Sequence, residues 1–90
     1  MKYKLSRSNS FKRSFKKAKL SDDTEVNYIE IVYSLLQGKP LESKYKDHSL
    51  KGKYLGYREC HIKPDLLLIY TIKEEELILV DIGSHSELFG

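Results

Sequence analysis

The alternation of apolar and polar residues is clearest in the second half of the chain, where it predicts two adjacent β-strands. Residues 66–72 form the most apolar run, as expected for a buried central strand. Residues 55–63 alternate between a core-facing and an opposite set, which is typical of a half-buried strand. The core-facing set contains Cys60 and Ile62, and the opposite set contains Glu59, His61 and Lys63. A turn at Pro64 and Asp65 joins the two strands into a hairpin.

A short strand and an amphipathic helix are predicted before this hairpin. Residues 1–5 alternate, and the face expected to be buried carries Met1, Tyr3 and Leu5. Residues 10–20 have a basic face opposite an apolar face made of Phe11, Phe15 and Ala18. The candidates for the N-cap of this helix are Ser6, Ser8 and Asn9.

A second helix is predicted between Ser21, which precedes two acidic residues that favour a helix N-terminus, and Gly38, which favours a helix end. The residues expected on its buried face are Val26, Ile29, Val32 or Tyr33, and Leu36. Residues 41–54 have no clear period and are expected to form a long polar loop, from which Leu50 returns to the core.

The last predicted strand covers residues 77–82 and is followed by a short tail at residues 86–90. The resulting order is β-α-α-β-β-β. It predicts a single α+β domain, residues 1–90, with an antiparallel-dominated sheet and a two-helix hairpin on one of its faces.

The charge of the chain is unevenly distributed. The net charge is +3, but residues 1–20 contribute +8 without any acidic residue, and residues 21–90 contribute −5. A helix this basic is either a contact surface for a polyanion or a solvated face, and charge alone leaves both open. No apolar run is long enough to cross a membrane, and a single cysteine suits the reducing cytoplasm.

The candidate chemistry lies at the ends of the predicted strands. His48, His61 and His85 all lie in the second half, and Asp65 follows the hairpin turn. If consecutive strands are neighbours, these groups meet at one rim. Several imidazoles, a carboxylate and nearby lysines suit metal-free RNA cleavage, in which a base activates the ribose 2′-OH and an acid protonates the leaving oxygen.

Other interpretations of the same residues stay open at this point. Each histidine alone is consistent with a surface position, and His61 and Asp65 with a further histidine are a weak pattern for a zinc site. Cys60 is expected to be a small buried hydrophobe rather than a nucleophile. The serines around His85 lack the context of a serine hydrolase.

Three blocks of sequence resemble the YafQ branch of the RelE superfamily, the toxins of bacterial type II toxin–antitoxin modules. The blocks are K-D-H-S-L-K-G (46–52), Y-R-E-C-H-I-K-P-D-L-L-L-I-Y (57–70) and G-S-H-S-E-L-F (83–89). The resemblance implies a RelE-like microbial RNase fold and a ribosome-dependent endoribonuclease without cofactor or metal. It also implies two partners: a ribosome with mRNA in its decoding site, and an acidic, DNA-binding antitoxin. Operator DNA would be bound only through that antitoxin.

The resemblance assigns roles to particular residues. The implied catalytic residues are His48, His61, Asp65 and His85. His85 would be the general acid, and the base or its orienter would be Asp65 or His48. The implied RNA-binding residues are Lys46, Lys51, Lys53, Arg58 and Phe89. The basic helix would contact the ribosome through Lys12, Arg13, Lys16, Lys17 and Lys19.

Two positions depart from the family pattern. Asp81 stands where the family commonly has an arginine, so we expect either a weaker enzyme or compensation by Arg58 and Lys53. Leu66 stands where an aromatic residue is common. An alternative function therefore stays open, in which the chain is a weakly active or inactive binding module that acts with its antitoxin as a DNA-binding repressor.

Overall fold

The computed structural model describes residues 1–90, and its sheet has five strands. The elements are β1 (Lys4–Arg7), α1 (Asn9–Ala18), α2 (Asp22–Leu36), β2 (His48–Ser49), β3 (Arg58–Lys63), β4 (Leu66–Lys73), β5 (Glu76–Gly83) and α3 (His85–Phe89). Two single turns of 3₁₀ helix, Ser43–Tyr45 and Gly52–Tyr54, flank β2. The predicted α+β class is confirmed, and β2 and α3 are additions that lie in the expected loop and tail.

The sheet has the strand order β1-β5-β4-β3-β2. Strand β1 is parallel to β5, and all other pairs are antiparallel. The apolar strand β4 is central, as predicted, and its residues Leu68 and Tyr70 are buried against the helices. Cys60 and Ile62 also lie in this core, which confirms the alternation predicted for β3.

The single cysteine, Cys60, is packed inside the core. Its side chain is fully buried, and burial raises the pKa of the Cys60 thiol, so the thiolate does not form at neutral pH. The prediction of a small buried hydrophobe is confirmed.

Local signals fix the ends of the two long helices. Helix α1 is capped by Ser8, one of the predicted candidates, whose side chain accepts a hydrogen bond from the Phe11 N–H at 2.9 Å. Helix α2 ends at Leu36, and Gly38 follows it as the predicted C′ glycine with a φ of +72°. The Gly38 N–H donates to the Leu35 carbonyl and the Lys39 N–H to the Ser34 carbonyl, both at 3.0 Å, as in a Schellman motif.

The face of α2 that packs on the core overlaps only partly with the predicted one. Val26, Ile29 and Tyr33 are more than half exposed. Val32 is buried as predicted, and Leu36 packs half-buried against the core. The other buried residues of the helix are Thr24, Ile31 and Leu35, none of which was predicted. The helix carries apolar residues on several sides, so periodicity alone does not choose between neighbouring faces. Packing against the rest of the core makes that choice.

Two further core positions were predicted wrongly. Met1 is 74% exposed because β1 begins only at Lys4. Leu50 is only half-buried, and the residue of the loop that enters the core is Tyr45, which is 3% exposed. The 3₁₀ turn at Ser43–Tyr45 directs this side chain inward, where its hydroxyl donates to Glu30 at 3.1 Å.

Because of Tyr45, the free energy of unfolding is expected to decrease with pH in the alkaline range. Burial and the hydrogen bond to Glu30 raise its pKa to about 12 from an ordinary value of 10. The unfolded chain therefore ionises first, and we expect stability to be complete below pH 10 and to fall as the pH rises towards 12. Each unit of pKa difference corresponds to about 1.4 kcal/mol.

Urea unfolding at pH 9 to 11.5, followed by circular dichroism, measures this dependence. Tyr45→Phe lacks the ionisable group and should show a shallower loss across the same range. An identical pH dependence for both proteins would contradict the assignment to Tyr45.

None of the helices combines the length and the hydrophobicity needed to span a membrane.

Candidate active site

A buried carboxylate holds two of the three histidines together. Glu59 on β3 is only 4% exposed. Its Oε1 lies 3.5 Å from the Nε2 of His48 and 3.3 Å from the Nε2 of His61. His48 reaches it because β2 pairs with β3 with His48 directly opposite Glu59. A carboxylate buried to this extent needs such partners, so the two imidazoles and Glu59 form one unit, the Glu59 cluster.

The nitrogen atoms of the two rings have different surroundings. The Nδ1 of His48 lies 2.7 Å from the Lys46 carbonyl oxygen, so both of its nitrogens face oxygen acceptors. Both nitrogens of this ring are therefore directed at protein atoms rather than at the open face of the site. The Nε2 of His61 points at Glu59, which leaves Nδ1 as the nitrogen that is able to exchange a proton with a substrate.

A second carboxylate fixes strand β2 in place. Asp47 accepts two hydrogen bonds from Arg58, at 2.9 and 3.4 Å, and a short one from the Tyr70 hydroxyl. Burial, followed by the bond to Asp47, raises the pKa of Tyr70, and Asp47 also raises the pKa of Arg58. This clamp ties the residue before His48 to β3 and β4. Arg58, predicted to bind RNA, is therefore already engaged by a carboxylate.

Helix α3 carries the third histidine and is held by hydrogen bonds at its first turn. The Ser84 side chain accepts from the Glu87 N–H and the Glu87 side chain from the Ser84 N–H, which is a capping box. The Asp65 Oδ1 accepts from the backbone N–H of His85 at 3.0 Å. Asp65 therefore joins the hairpin turn to α3 and positions His85, whose side chain is exposed.

The Glu59 cluster and α3 lie on the same face of the sheet. His61 is paired with Leu67, which is paired with Gly83, and paired residues point to one side of a sheet. A side chain at Gly83 would meet Glu87 at 3.0 Å and Leu88 at 3.5 Å, so α3 packs over that side. Two strand spacings put the His61 and Gly83 backbones about 10 Å apart. The expected meeting of the four groups thus occurs as two clusters, one at each side of a shared face.

Aromatic rings extend the site next to His85. The Phe89 ring is 5.2 Å from the His85 ring and meets the Tyr54 ring edge-on at 5.4 Å. The Lys53 ammonium lies 5.5 Å from the centre of the Tyr54 ring. An aromatic surface beside a cation is the kind of surface on which a nucleobase stacks.

The other predicted residues are exposed lysines and an arginine on two separate segments of the chain. Lys46 and Lys51 are exposed on the loop next to β2. All five basic residues assigned to ribosome binding, Lys12, Arg13, Lys16, Lys17 and Lys19, are exposed on or directly after α1. Asp81 is engaged within the fold, because its carboxylate accepts from the Ser10 hydroxyl at 3.1 Å and from the Ile82 N–H at 2.9 Å. No group of three or more His, Cys, Asp or Glu side chains is arranged to hold a metal ion.

Sequence analysis missed three residues of the site: Asp47, Tyr54 and Glu59. Glu59 carried the clearest signal, because the alternation already placed it on the same face as His61. The capping-box spacing of Ser84 and Glu87 was an equally visible signal for α3. Asp47 and Tyr54 lie in the loop without periodicity and gave no such indication.

Comparison with known proteins yields one family and several solved structures. The model of the family described as the bacterial toxin of type II toxin–antitoxin system, YafQ, matches residues 3–90. The mRNA interferase toxin YafQ of Escherichia coli K12 is 38% identical over 68 residues, which cover 73% of this chain and 74% of that protein.

Two solved structures show the similarity in three dimensions. A copper-bound mutant toxin from Helicobacter pylori superposes with a TM-score of 0.88 at 43% identity, covering 97% of this chain and 99% of the other. The E. coli DinJ–YafQ complex contains a chain that superposes with a TM-score of 0.79 at 30% identity, covering 98% and 99%.

Proposed function

This chain belongs to the YafQ family of type II toxin–antitoxin toxins, and from that premise we propose that it is an endoribonuclease that cleaves mRNA on the ribosome. The observation that carries the proposal is that the Glu59 cluster and α3 lie side by side on one face of the sheet, so that His61 and His85 belong to the same face. An acid and a base on opposite sides of a bound phosphate suit cleavage through the ribose 2′-OH.

The contacts favour His61 as the general base. Its Nε2 is directed at Glu59, so the carboxylate orients the ring and stabilises the positive charge that forms when Nδ1 accepts the 2′ proton. His48 is less suited to this role because both of its nitrogens face oxygen acceptors. Asp65 is less suited because it binds the backbone of His85. His48 instead helps to hold the Glu59 carboxylate in the position from which it orients His61.

His85 is assigned as the general acid. The 2′ oxygen forms a bond to phosphorus, the bond from phosphorus to the 5′ oxygen breaks, and His85 gives that oxygen its proton. The products are a 2′,3′-cyclic phosphate and a 5′-hydroxyl end, and no oxidant or water is consumed. Phe89 and Tyr54 hold the base of the neighbouring nucleotide against the aromatic surface beside His85.

The basic helix α1 and the antitoxin complete the proposed function. The five exposed cationic residues on and after α1 bind ribosomal RNA, so association with ribosomes should weaken steeply with salt. We infer that a cognate antitoxin binds this chain, as DinJ binds YafQ in the E. coli toxin–antitoxin complex, and that this antitoxin is acidic and carries the operator-binding activity. An mRNA substrate on ribosomes places this action in the cytoplasm.

Primer extension on ribosome-bound mRNA tests the proposal. Purified protein is treated with a chelator, desalted, and added to ribosomes programmed with a defined mRNA, and to the same mRNA without ribosomes. We expect breaks at specific codons only in the ribosome-bound sample, with cyclic phosphate ends. Breaks that require added copper or zinc, a relevant control given the copper-bound relative, would overturn the metal-free mechanism.

A second candidate function follows from Asp81, which places a negative charge where relatives commonly carry an arginine. In this case the chain is a binding module that represses transcription together with its antitoxin. Intact mRNA in the primer-extension experiment, combined with an operator DNA shift that requires both proteins, would support the binding module over the enzyme.

A further inference from the structure

A small cavity of about 270 Å³ lies beside His61, and no residue of α3 lines it. It is enclosed by the 3₁₀ turn at Ser43–Tyr45, by Asn27 on α2, and by the end of β3. Three of its eight lining residues are lysines and none is acidic. The lysines are Lys44, Lys46 and Lys63.

The three lysines have no anionic partner within the protein. The ion pairs of the molecule are confined to Glu59 and Asp47, so no carboxylate lies within 4.0 Å of these ammonium groups. Lys44 has an aromatic contact instead, because its nitrogen lies 5.1 Å from the centre of the Tyr45 ring. Three cations around one concave space repel each other, and a phosphate placed between them would relieve that repulsion.

The turn presents its two lysines in a fixed direction. Tyr45 is buried in the core and therefore forces its neighbours Lys44 and Lys46 outward. Lys46 has a φ of +50°, and its carbonyl accepts from His48. Lys46 lies between the buried Tyr45 and Asp47, which is held by Arg58 and Tyr70, so its backbone is ordered before any ligand binds, which lowers the entropic cost of binding.

We infer that Lys44, Lys46 and Lys63 bind an RNA phosphate on the 5′ side of the nucleotide whose 2′-OH attacks. This inference rests on the proposed function, because the assignment of His61 as base and His85 as acid fixes the direction of the strand. The nucleotide that loses its 2′ proton lies at His61, and the leaving 5′ oxygen lies at His85. The 5′ end of the RNA therefore runs towards the cavity and the 3′ end towards α3.

The cavity is tested without requiring cleavage by measuring RNA affinity in a double-mutant cycle. One change removes lysines of the cavity, and the other replaces one phosphate of the RNA by an uncharged methylphosphonate. The probe is a fluorescent RNA of eight or so nucleotides with a 2′-deoxy nucleotide at the cleavage position, made also with one methylphosphonate either 5′ or 3′ of that nucleotide. Anisotropy measures its affinity for the full chain. The variant is Lys44→Gln/Lys63→Gln, and the control of equal charge is Lys39→Gln/Lys73→Gln, two exposed lysines outside the site.

We expect the cavity variant to bind the unmodified RNA about tenfold more weakly than the wild type and the control. Its log–log salt slope should be smaller by about 0.7, the value for one phosphate in a single strand. The 5′ methylphosphonate should weaken binding to the wild type and leave the variant unaffected, because both changes remove the same contact.

Several results would overturn the inference. They are an undetectable affinity of the wild type for the RNA, equal salt slopes for variant and control, or coupling to the 3′ linkage instead of the 5′ linkage. Loss of antitoxin binding with unchanged RNA binding would assign the cavity to the protein partner and would also overturn it. If the wild type and the variant both cleave ribosome-bound mRNA but the cycle shows no coupling, the cavity assignment fails while the proposed function stands.

Discussion

Replacing His85 by alanine is expected to lower the rate of mRNA cleavage by roughly 10²–10⁴-fold, the usual contribution of a general acid. The side chain is exposed, and its closest aromatic contact is the Phe89 ring. The hydrogen bond to Asp65 comes from the backbone N–H, which alanine keeps. Folding and antitoxin binding should therefore be unchanged, and the loss should appear in the single-turnover cleavage rate on saturating ribosome-bound mRNA.

The matched control for this variant is Ser86→Ala, which changes the next exposed residue of the same helix. It should cleave at the wild-type rate. Thermal unfolding of both variants checks that α3 is intact. If His85→Ala still arrested growth at equal expression, His85 would not be the general acid.

Replacing Glu59 by glutamine should reduce cleavage by an amount on the order of 10²–10⁴-fold. Glutamine has nearly the same shape but removes the negative charge that faces both His48 and His61. The loss should fall on kcat, with RNA affinity close to that of the wild type, because Glu59 is buried and orients the base rather than touching RNA.

Glu42→Gln is the control for this experiment, because it removes the same negative charge from an exposed position. If Glu59 had only a structural role, Glu59→Gln would lower both the unfolding temperature and the affinity for RNA. If Glu59 orients His61 as proposed, the substitution changes the pH dependence of kcat. Cleavage by Glu59→Gln within threefold of the wild type would exclude Glu59 from the catalytic machinery.

The strands were predictable because their signals are local. The apolar run of β4 and the alternation around Cys60 and Ile62 each specify one buried face, and a shift of one residue would have moved the whole set to solvent. The phase of α2 was not predictable in this way. Val26 and Ile31 belong to two different faces of α2, and each face has apolar residues at helical spacing. Which face meets the sheet depends on the shapes of elements that are far apart in sequence.

The sequence indicated that the histidines and Asp65 would lie at the strand ends, but it did not indicate that Glu59 and Asp47 would hold this region together. His61 lies on β3 and His85 follows β5, the two strands on either side of β4, and sequence order already suggests that these strands are close in the sheet. The burial of Glu59 depends instead on a strand of two residues, held beside β3 by Asp47. No sequence pattern marks so short a strand, so the partner of the two imidazoles became visible only in three dimensions.

The parallel pairing of β1 with β5 affects the solubility of the molecule as well as its shape. Strand β5, whose sequence is E-L-I-L-V-D-I-G, would be an open and largely apolar edge without β1 to cover it. Such an edge invites pairing with the same strand of another copy. A chain that lost its first seven residues would keep all of its proposed catalytic groups and would nevertheless tend to aggregate.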